Sequence, residues 1–450
     1  MSKIISLGIW ALGLLLMASQ KHSPLLSNIG LSVLAYKATA FFIPRVGAAF
    51  IRRGFSGKDM NKVEKRVIPE TMGAVSAMVY FMCMILFIPV LFYKYLVPER
   101  SRNQQDNPLG VLSDGYTSVA EVQFPHDQLG AYLSAVISIL SISLLGIFDD
   151  LFDIRWRHKF FLPAIAAIPL LVVYYVDYGV TYVSVPTLLR PFFQRTVVDL
   201  GFLYYIYMAA VAIFCPNSIN IIAGVNGVEA GQSFVIGLVV LCNDLIYVFH
   251  PSNPEAVRAH LLSIYLILPL LGVTAGLLKY NWWPSRVFVG DTFCYFAGMV
   301  LAVVGILGHF SKTLMLFFIP QIFNFILSVP QLFGFVECPR HRLPRLNVKT
   351  GLLENSYTVF TEGVPLPTKT LLTIRVFEAF RLIRVDWDHK TKRPTRCTNF
   401  TIINFVLYHF GPMREDHLTL CIMGIQLAVG LFGLIIRHGF APLVYPQDNI

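Results

Sequence analysis

Apolar residues run along this chain in long blocks, not in alternation. Ten blocks can be read, at 25–44, 71–93, 128–148, 160–176, 200–217, 232–249, 260–278, 292–310, 311–333 and 417–436. Each holds roughly 17–24 residues, about the length a helix needs to cross a ~30 Å hydrocarbon core. An eleventh block, Ile4 to Ala18, is shorter. Lys3 before it and small residues after it fit a signal-like segment, an extra span or an interfacial helix. The pattern predicts an all-α polytopic membrane protein of about ten transmembrane helices, with a small cytosolic α/β insertion between the last two. The expected divisions are an N-terminal hydrophobic segment (1–20), a membrane core (24–336), a cytosolic subdomain (337–416) and a last span with a lumenal tail (417–450).

Within the subdomain, Arg345–Leu353 reads as strand, turn and strand around Gly351. Leu372, Val376, Phe380 and Ile383 recur at helical spacing and predict a helix over Thr370–Arg384. Thr401–Phe410 reads as a segment lying on the membrane surface. No repeat of 20–50 residues is visible, which disfavours a transporter built from two similar halves.

Composition sharpens this picture. The 450 residues are 55% hydrophobic and 14% charged, against about 25% charged in ordinary soluble domains. Of the 36 Lys and Arg, 25 fall in connections after odd-numbered blocks and 8 after even-numbered ones. The positive-inside rule therefore puts the odd-numbered connections in the cytosol. The net charge of +10 reads as topology. It is not a nucleic-acid footprint, because the basic residues are not gathered on one soluble module. Seven cysteines show no metal-ligand spacing and imply packing roles.

Candidate chemistry concentrates in those same connections. Asp149-Asp150-x-x-Asp153 closes the third block. On a continuing helix Asp149 and Asp153 share a face, with Asp150 about 100° round. Such carboxylates at a membrane edge need Mg²⁺ or nearby cations such as Arg155, Arg157 and Lys159; a salt-bridged helix end is the plainer reading. Asp291 in Gly290-Asp291-Thr292 is either a helix cap or a further Mg²⁺ ligand. Asn217, Asn220, Gly224, Asn226, Gly227 and Glu229 form a loop without a cation. It suits a base or sugar better than a phosphate, unless it is only a helix end and turn. Cys338-Pro339-Arg340-His341-Arg342 offers guanidinium forks for phosphate oxygens, or plain positive-inside decoration.

The stretches GIFDDLFDIRWRHKFFLPAIAAIPLL, NSINIIAGVNGVEAGQS, RVFVGDTFCYFAGMVLAVVGILGHFSKT and CPRHRLPRLN occur in that order. From about residue 24 onward the chain resembles the eukaryotic UDP-N-acetylglucosamine–dolichyl-phosphate N-acetylglucosaminephosphotransferases, more closely the fungal ones. Their wider family includes bacterial transferases that use undecaprenyl phosphate. The resemblance implies a ten-helix core in the endoplasmic reticulum membrane with a cytosolic, Mg²⁺-dependent, tunicamycin-sensitive active site. The implied reaction transfers N-acetylglucosamine 1-phosphate from UDP-N-acetylglucosamine to dolichyl phosphate and releases UMP. By matching motifs, Asp291 and Asn220 would hold Mg²⁺ and Arg342 the pyrophosphate. His341 and Arg340 would face the sugar, and Gly224 and Asn226 would read uracil beside Phe288. Glu70, Asn217 and Trp156 would line the substrate. Lys159, Asp149, Asp150 and Asp153 would manage the lipid phosphate. The implied partners are the two substrates and the bilayer, with a homodimer and downstream glycosyltransferases as protein partners and no nucleic acid. The rival enzyme is a membrane prenyltransferase using the DDxxD pattern, which lacks its second aspartate-rich motif here. A lipid flippase, the rival of another class, would bury charges at mid-membrane. Here, apart from Lys37, the candidate charges crowd one rim.

Overall fold

The computed structural model describes residues 2–18, 23–96, 124–187, 190–193, 195–250, 253–339, 342–361 and 365–445. Ser2–Ala18 forms a helix, α1, packed against the next. Among the described residues eight helices are long and apolar enough to cross a membrane. Seven are α2 (Pro24–Arg52), α3 (Gly73–Leu91), α4 (His126–Phe152), α7 (Phe202–Ile221), α8 (Val228–Phe249), α9 (Pro254–Asn281) and α10 (Gly290–Leu307). The eighth, α15 (Glu415–Ile435), continues through a wider turn to Val444.

Two expected spans are broken. Block 160–176 forms the short helices α5 (Leu162–Ala166) and α6 (Ile168–Asp177). Block 311–333 forms α11 (Ser311–Phe317) and α12 (Ile319–Leu332), bent by 69°. Pro169 and Pro320 explain both breaks: each stands in the first turn after its break, where a ring without an N–H cannot continue the hydrogen-bond ladder.

Helix α10 is the pillar of the bundle. Every side chain from Thr292 to Leu307 is buried, and α3, α4, α7 and α9 surround it. A helix that is apolar on all sides belongs in such a place. Its polar N-terminus, which carries Asp291, is thereby fixed at the centre of one rim.

Short antiparallel pairs dress that rim. β1 (Ser56–Lys58) pairs with β2 (Val67–Pro69), with Ser56 opposite Pro69. On the opposite side of the bundle, β3 (Tyr182–Ser184) pairs with β4 (Val197–Asp199). The stretch between α12 and α15 carries β5 (Arg345–Asn347) paired with β6 (Leu352–Glu354), as the strand–turn–strand pattern predicts. It also holds a three-stranded sheet of β7 (Tyr357–Val359), β9 (Pro394–Thr398) and β8 (Val385–Trp387), with β9 central.

The predicted helix is present as α13 (Thr368–Ala379), but its inner face is different. Thr370, Ile374 and Phe377 turn inward, while Leu372, Val376 and Phe380 are 63%, 43% and 73% exposed. Of the expected stripe only Ile383 is buried, and it lies beyond the helix. The Thr401–Phe410 segment also differs from expectation. It forms α14 (Ile402–Phe410), whose Ile402, Ile403, Val406 and Leu407 pack with Ile222, Val228, Leu418 and Ile422. That apolar face is occupied by protein and not by lipid.

Candidate active site

Helix α4 delivers Asp149 and Asp150 to the N-terminus of α10, and there the two carboxylates separate in task. Asp149 is 3% exposed. Its Oδ1 accepts from the Ile154 amide at 3.1 Å and its Oδ2 from Lys159 Nζ at 2.6 Å. Lys159 Nζ also reaches Asp291 Oδ2 at 3.1 Å, so one ammonium bridges two acids. Burial pulls the Lys159 pKa down, but Asp291 and Asp149 outweigh burial and hold it above the ordinary lysine value.

Asp150 faces the helix end itself. Its carboxylate accepts from the Asp291 amide (2.7 Å), the Thr292 amide (3.1 Å) and Thr292 Oγ1 (2.6 Å). It acts as an N-cap supplied by another helix, filling donors that α10 cannot satisfy internally. Gly290 is required for this approach. Its φ is +74°, and a Cβ there would stand 2.7 Å from Asp150 Oδ2.

Asp153 leaves the cluster. Helix α4 ends at Phe152 and Asp153 takes a left-handed conformation (φ +48°) with its side chain exposed. The shared helical face expected for Asp149 and Asp153 therefore does not form. The cause is the chain reversal that brings Lys159 back to Asp149.

Two adjoining cavities meet here. One, of about 290 Å³, is lined by Lys159, Asn217, Asn220, Tyr295, Arg342 and Leu343, among others. The Arg342 Nη1 atom is buried and has no hydrogen-bond partner among the described residues, and burial lowers the guanidinium pKa. An orphaned guanidinium nitrogen beside an ammonium suits an arriving phosphate. The second cavity, of about 310 Å³, is lined by Glu70, Gly224, Asn226, Phe288 and Asp291, and shares Asn220, Ala223 and Leu343 with the first. Burial, then the charges of Asp150 and Asp291, raise the Glu70 pKa.

Asn220 thus lies where the two cavities join, and Asp291 lines the second while pairing with Lys159, which lines the first. Among the described residues no three His, Cys, Asp or Glu side chains gather as a metal cage. One carboxylate and one amide oxygen nonetheless fit Mg²⁺, which usually takes one or two protein ligands and completes its shell with water and phosphate. Trp156 lies in a short helix, Trp156–Lys159, and its side chain is outside the described residues, as are Arg340 and His341.

The Gly224–Asn226 loop is held by residues that no sequence motif marks. Glu415, 2% exposed at the start of α15, accepts from the Asn226 amide at 2.9 Å and from Asn61 Nδ2 at 3.2 Å, and pairs with Lys62. Asp59 Oδ2 accepts from Asn226 Nδ2 at 3.0 Å, and Asn61 Nδ2 donates to the Gly224 carbonyl at 3.0 Å. Two separate segments, the loop at Asp59–Lys62 and the start of α15, therefore fix the Gly224–Asn226 turn. Gly227, at φ +83°, then lets the chain enter α8. The one sequence signal for Glu415 is the rule applied to Asp149: an acid beside an apolar span is costly unless partnered.

Residues 132–309 match glycosyl transferase family 4. The chain is 79% identical over 449 residues to the UDP-N-acetylglucosamine–dolichyl-phosphate N-acetylglucosaminephosphotransferase of Schizosaccharomyces pombe, covering 99% of each chain. It is 49% identical to the Saccharomyces cerevisiae protein of that name, over 96% of this chain and 95% of the relative. With the Dictyostelium discoideum protein of the same name it shares 38% identity, over 91% and 87%.

Proposed function

This chain belongs to the UDP-N-acetylglucosamine–dolichyl-phosphate N-acetylglucosaminephosphotransferases, and from that premise we propose how its rim carries out the reaction. The chain transfers N-acetylglucosamine 1-phosphate from UDP-N-acetylglucosamine to dolichyl phosphate, giving N-acetylglucosaminyl-diphosphodolichol and UMP. The finer reading places the enzyme in the endoplasmic reticulum membrane, with the rim facing the cytosol and Mg²⁺ as cofactor. The 25-to-8 distribution of Lys and Arg supports that orientation. The protein partners expected are a second copy and the glycosyltransferases that extend the product.

The observation that carries the mechanism is the junction at Asn220, bridged by the Lys159–Asp291 ion pair, between a cationic cavity and a glycine-, amide- and aromatic-lined one. UDP-N-acetylglucosamine occupies the second cavity, its base against Phe288 and the Gly224–Asn226 turn. Its diphosphate lies toward Asp291 and Asn220. Dolichyl phosphate enters the first cavity, drawn by Lys159 and Arg342, with its tail along the apolar spans. Bound Mg²⁺, held by Asp291 and Asn220, supplies charge neutralisation at the diphosphate.

The lipid phosphate is already anionic and needs no strong base. Its oxygen attacks the sugar-linked phosphorus, a new P–O bond forms, the bond to the UMP oxygen breaks, and UMP leaves with that electron pair. Arg342 and Lys159 bring two anions together and stabilise the charge gathering on them. Asp149 keeps Lys159 in place and is the carboxylate assigned to a residual phosphate proton, which would reach it along its contact with Lys159.

The test supplies membranes holding the full chain with UDP-N-acetylglucosamine and dolichyl phosphate. UMP release should require both the lipid and Mg²⁺, and Asp291→Ala should nearly abolish it while inserting normally. Substantial Mg²⁺-dependent turnover by that variant would refute the metal assignment. A phosphosugar–enzyme adduct formed without lipid would refute direct attack.

A further inference from the structure

We propose that α13 lies along the membrane surface beside the active-site rim, with its outer face covered by anionic lipid headgroups and the upper part of their acyl chains. Leu372, Val376 and Phe380 follow one another at four-residue spacing and are largely exposed, so the helix turns an apolar stripe away from the protein. Its other face is already taken. Ile374 is fully buried in a cluster with Phe360, Val385, Cys397 and Phe400, and Phe377 packs on Phe400 with ring centroids 5.2 Å apart.

Both ends of α13 are tied to points next to membrane segments. At its start, Thr370 Oγ1 donates to the Phe335 carbonyl at 2.6 Å, and Lys369 Nζ stands 5.8 Å from the Phe335 ring. Phe335 lies three residues past the end of α12 and is itself exposed. At the far end, His409 Nε2 lies 3.0 Å from the Arg381 carbonyl. His409 belongs to α14, and its neighbour Phe410, also exposed, leads into α15. The shared core agrees with this placement. The cluster under α13 includes Leu327 of α12, five residues and so about 7–8 Å back along that helix from its end. A helix anchored at both ends to the edge of the bundle, and sharing core with a membrane-segment residue, runs along the bundle edge and not away from it.

Charge selects the occupant. Lys369, Arg375 and Arg381 border the stripe and are exposed. The one carboxylate on the helix, Glu378, is turned toward the sheet, where Trp387 Nε1 donates to it at 2.9 Å. An apolar face edged by cations with its acid withdrawn matches an interfacial helix on an anionic leaflet.

The experiment uses the full chain in nanodiscs of phosphatidylcholine, with or without phosphatidylserine, doped with a phospholipid bearing a photoreactive diazirine on its acyl chain. After illumination, peptides are mapped by mass spectrometry. Adducts are expected on residues 368–381 as well as on the spans, more of them with phosphatidylserine. Lys369→Gln and Arg375→Gln should each lower that labelling by up to roughly fivefold. Leu372→Ser with Val376→Ser and Phe380→Ser should remove it while labelling of the spans persists, a control that the protein remains folded. Labelled spans with no adduct on 368–381 would overturn the proposal. So would crosslinks from this stripe to a second copy of the chain, which would make it a subunit interface.

Discussion

Asp149 and Asp150 are adjacent carboxylates that the fold separates completely. Asp150 spends both oxygens on the first amides of α10 and on Thr292, so its removal should act first on stability. Asp150→Ala should cost about 1–3 kcal/mol, the range for a lost cap that leaves buried amides unpaired. Denaturation of the detergent-solubilised protein would measure it; a variant as stable as wild type but inactive would instead make Asp150 a chemical group. Glu70 gives a pH-dependent counterpart. Its pKa is raised above 4.5, mainly by burial and then by Asp150 and Asp291. The fold therefore favours the neutral form: its stabilising contribution is full below that value and is lost as pH rises through the raised one. Glu70→Gln imitates the neutral form, so in metal-free buffer its melting temperature should gain on wild type as pH rises above the ordinary carboxylate range. A margin independent of pH would refute this. Which residue takes which task was not legible in DDxxD, because the division follows from where α4 stops and what it meets.

At the scale of elements, loops from two distant parts of the chain are clipped together by the first residue of α15. Glu415 holds the Asn226 amide, Asn61 and Lys62 at once, and so sets the turn that presents Gly224 and Asn226. Glu415→Gln keeps the shape and removes the charge. Its expected effect is a higher KM for UDP-N-acetylglucosamine with little change in kcat, since it touches the loop and not the reacting phosphorus. Steady-state assays varying the nucleotide sugar would show this, and an equal fall of kcat with unchanged KM would sink it. The elements themselves were largely visible beforehand. Blocks of apolar residues became helices, and Arg345–Leu353 became paired strands. The two broken spans were hidden because hydropathy does not register what a proline does to the ladder around it. The outward stripe of α13 was hidden for another reason: helical periodicity marks an apolar face without saying whether protein or lipid covers it.

At the scale of the whole molecule, the expected cytosolic side of the rim has an independent check. Asn399-Phe400-Thr401 is a glycosylation sequon, but Asn399 is buried and bonded to Ser356, Thr358 and Gln331. It should stay unmodified whichever side it faces, and so it does not report topology. Membrane-impermeant thiol labelling does. Cysteines introduced at the exposed Lys58 and Lys390 should react from the cytosolic side of sealed vesicles, and one at Val197 from the lumenal side. Opposite sides for Lys58 and Lys390 would dismantle the site. By itself the sequence determined that the chain is a polytopic helical membrane protein, and it set the expectations of how the chain is oriented and which connections carry chemistry. Those properties depend on block length, charge counts and residue type, all of them additive along the chain. Only the tertiary structure decided that Lys159 bridges Asp149 and Asp291, that Asp153 stands aside, and that Glu415 joins the site. Each depends on contacts between residues distant in the chain, and such contacts exist only once the buried pillar α10 has fixed what surrounds it.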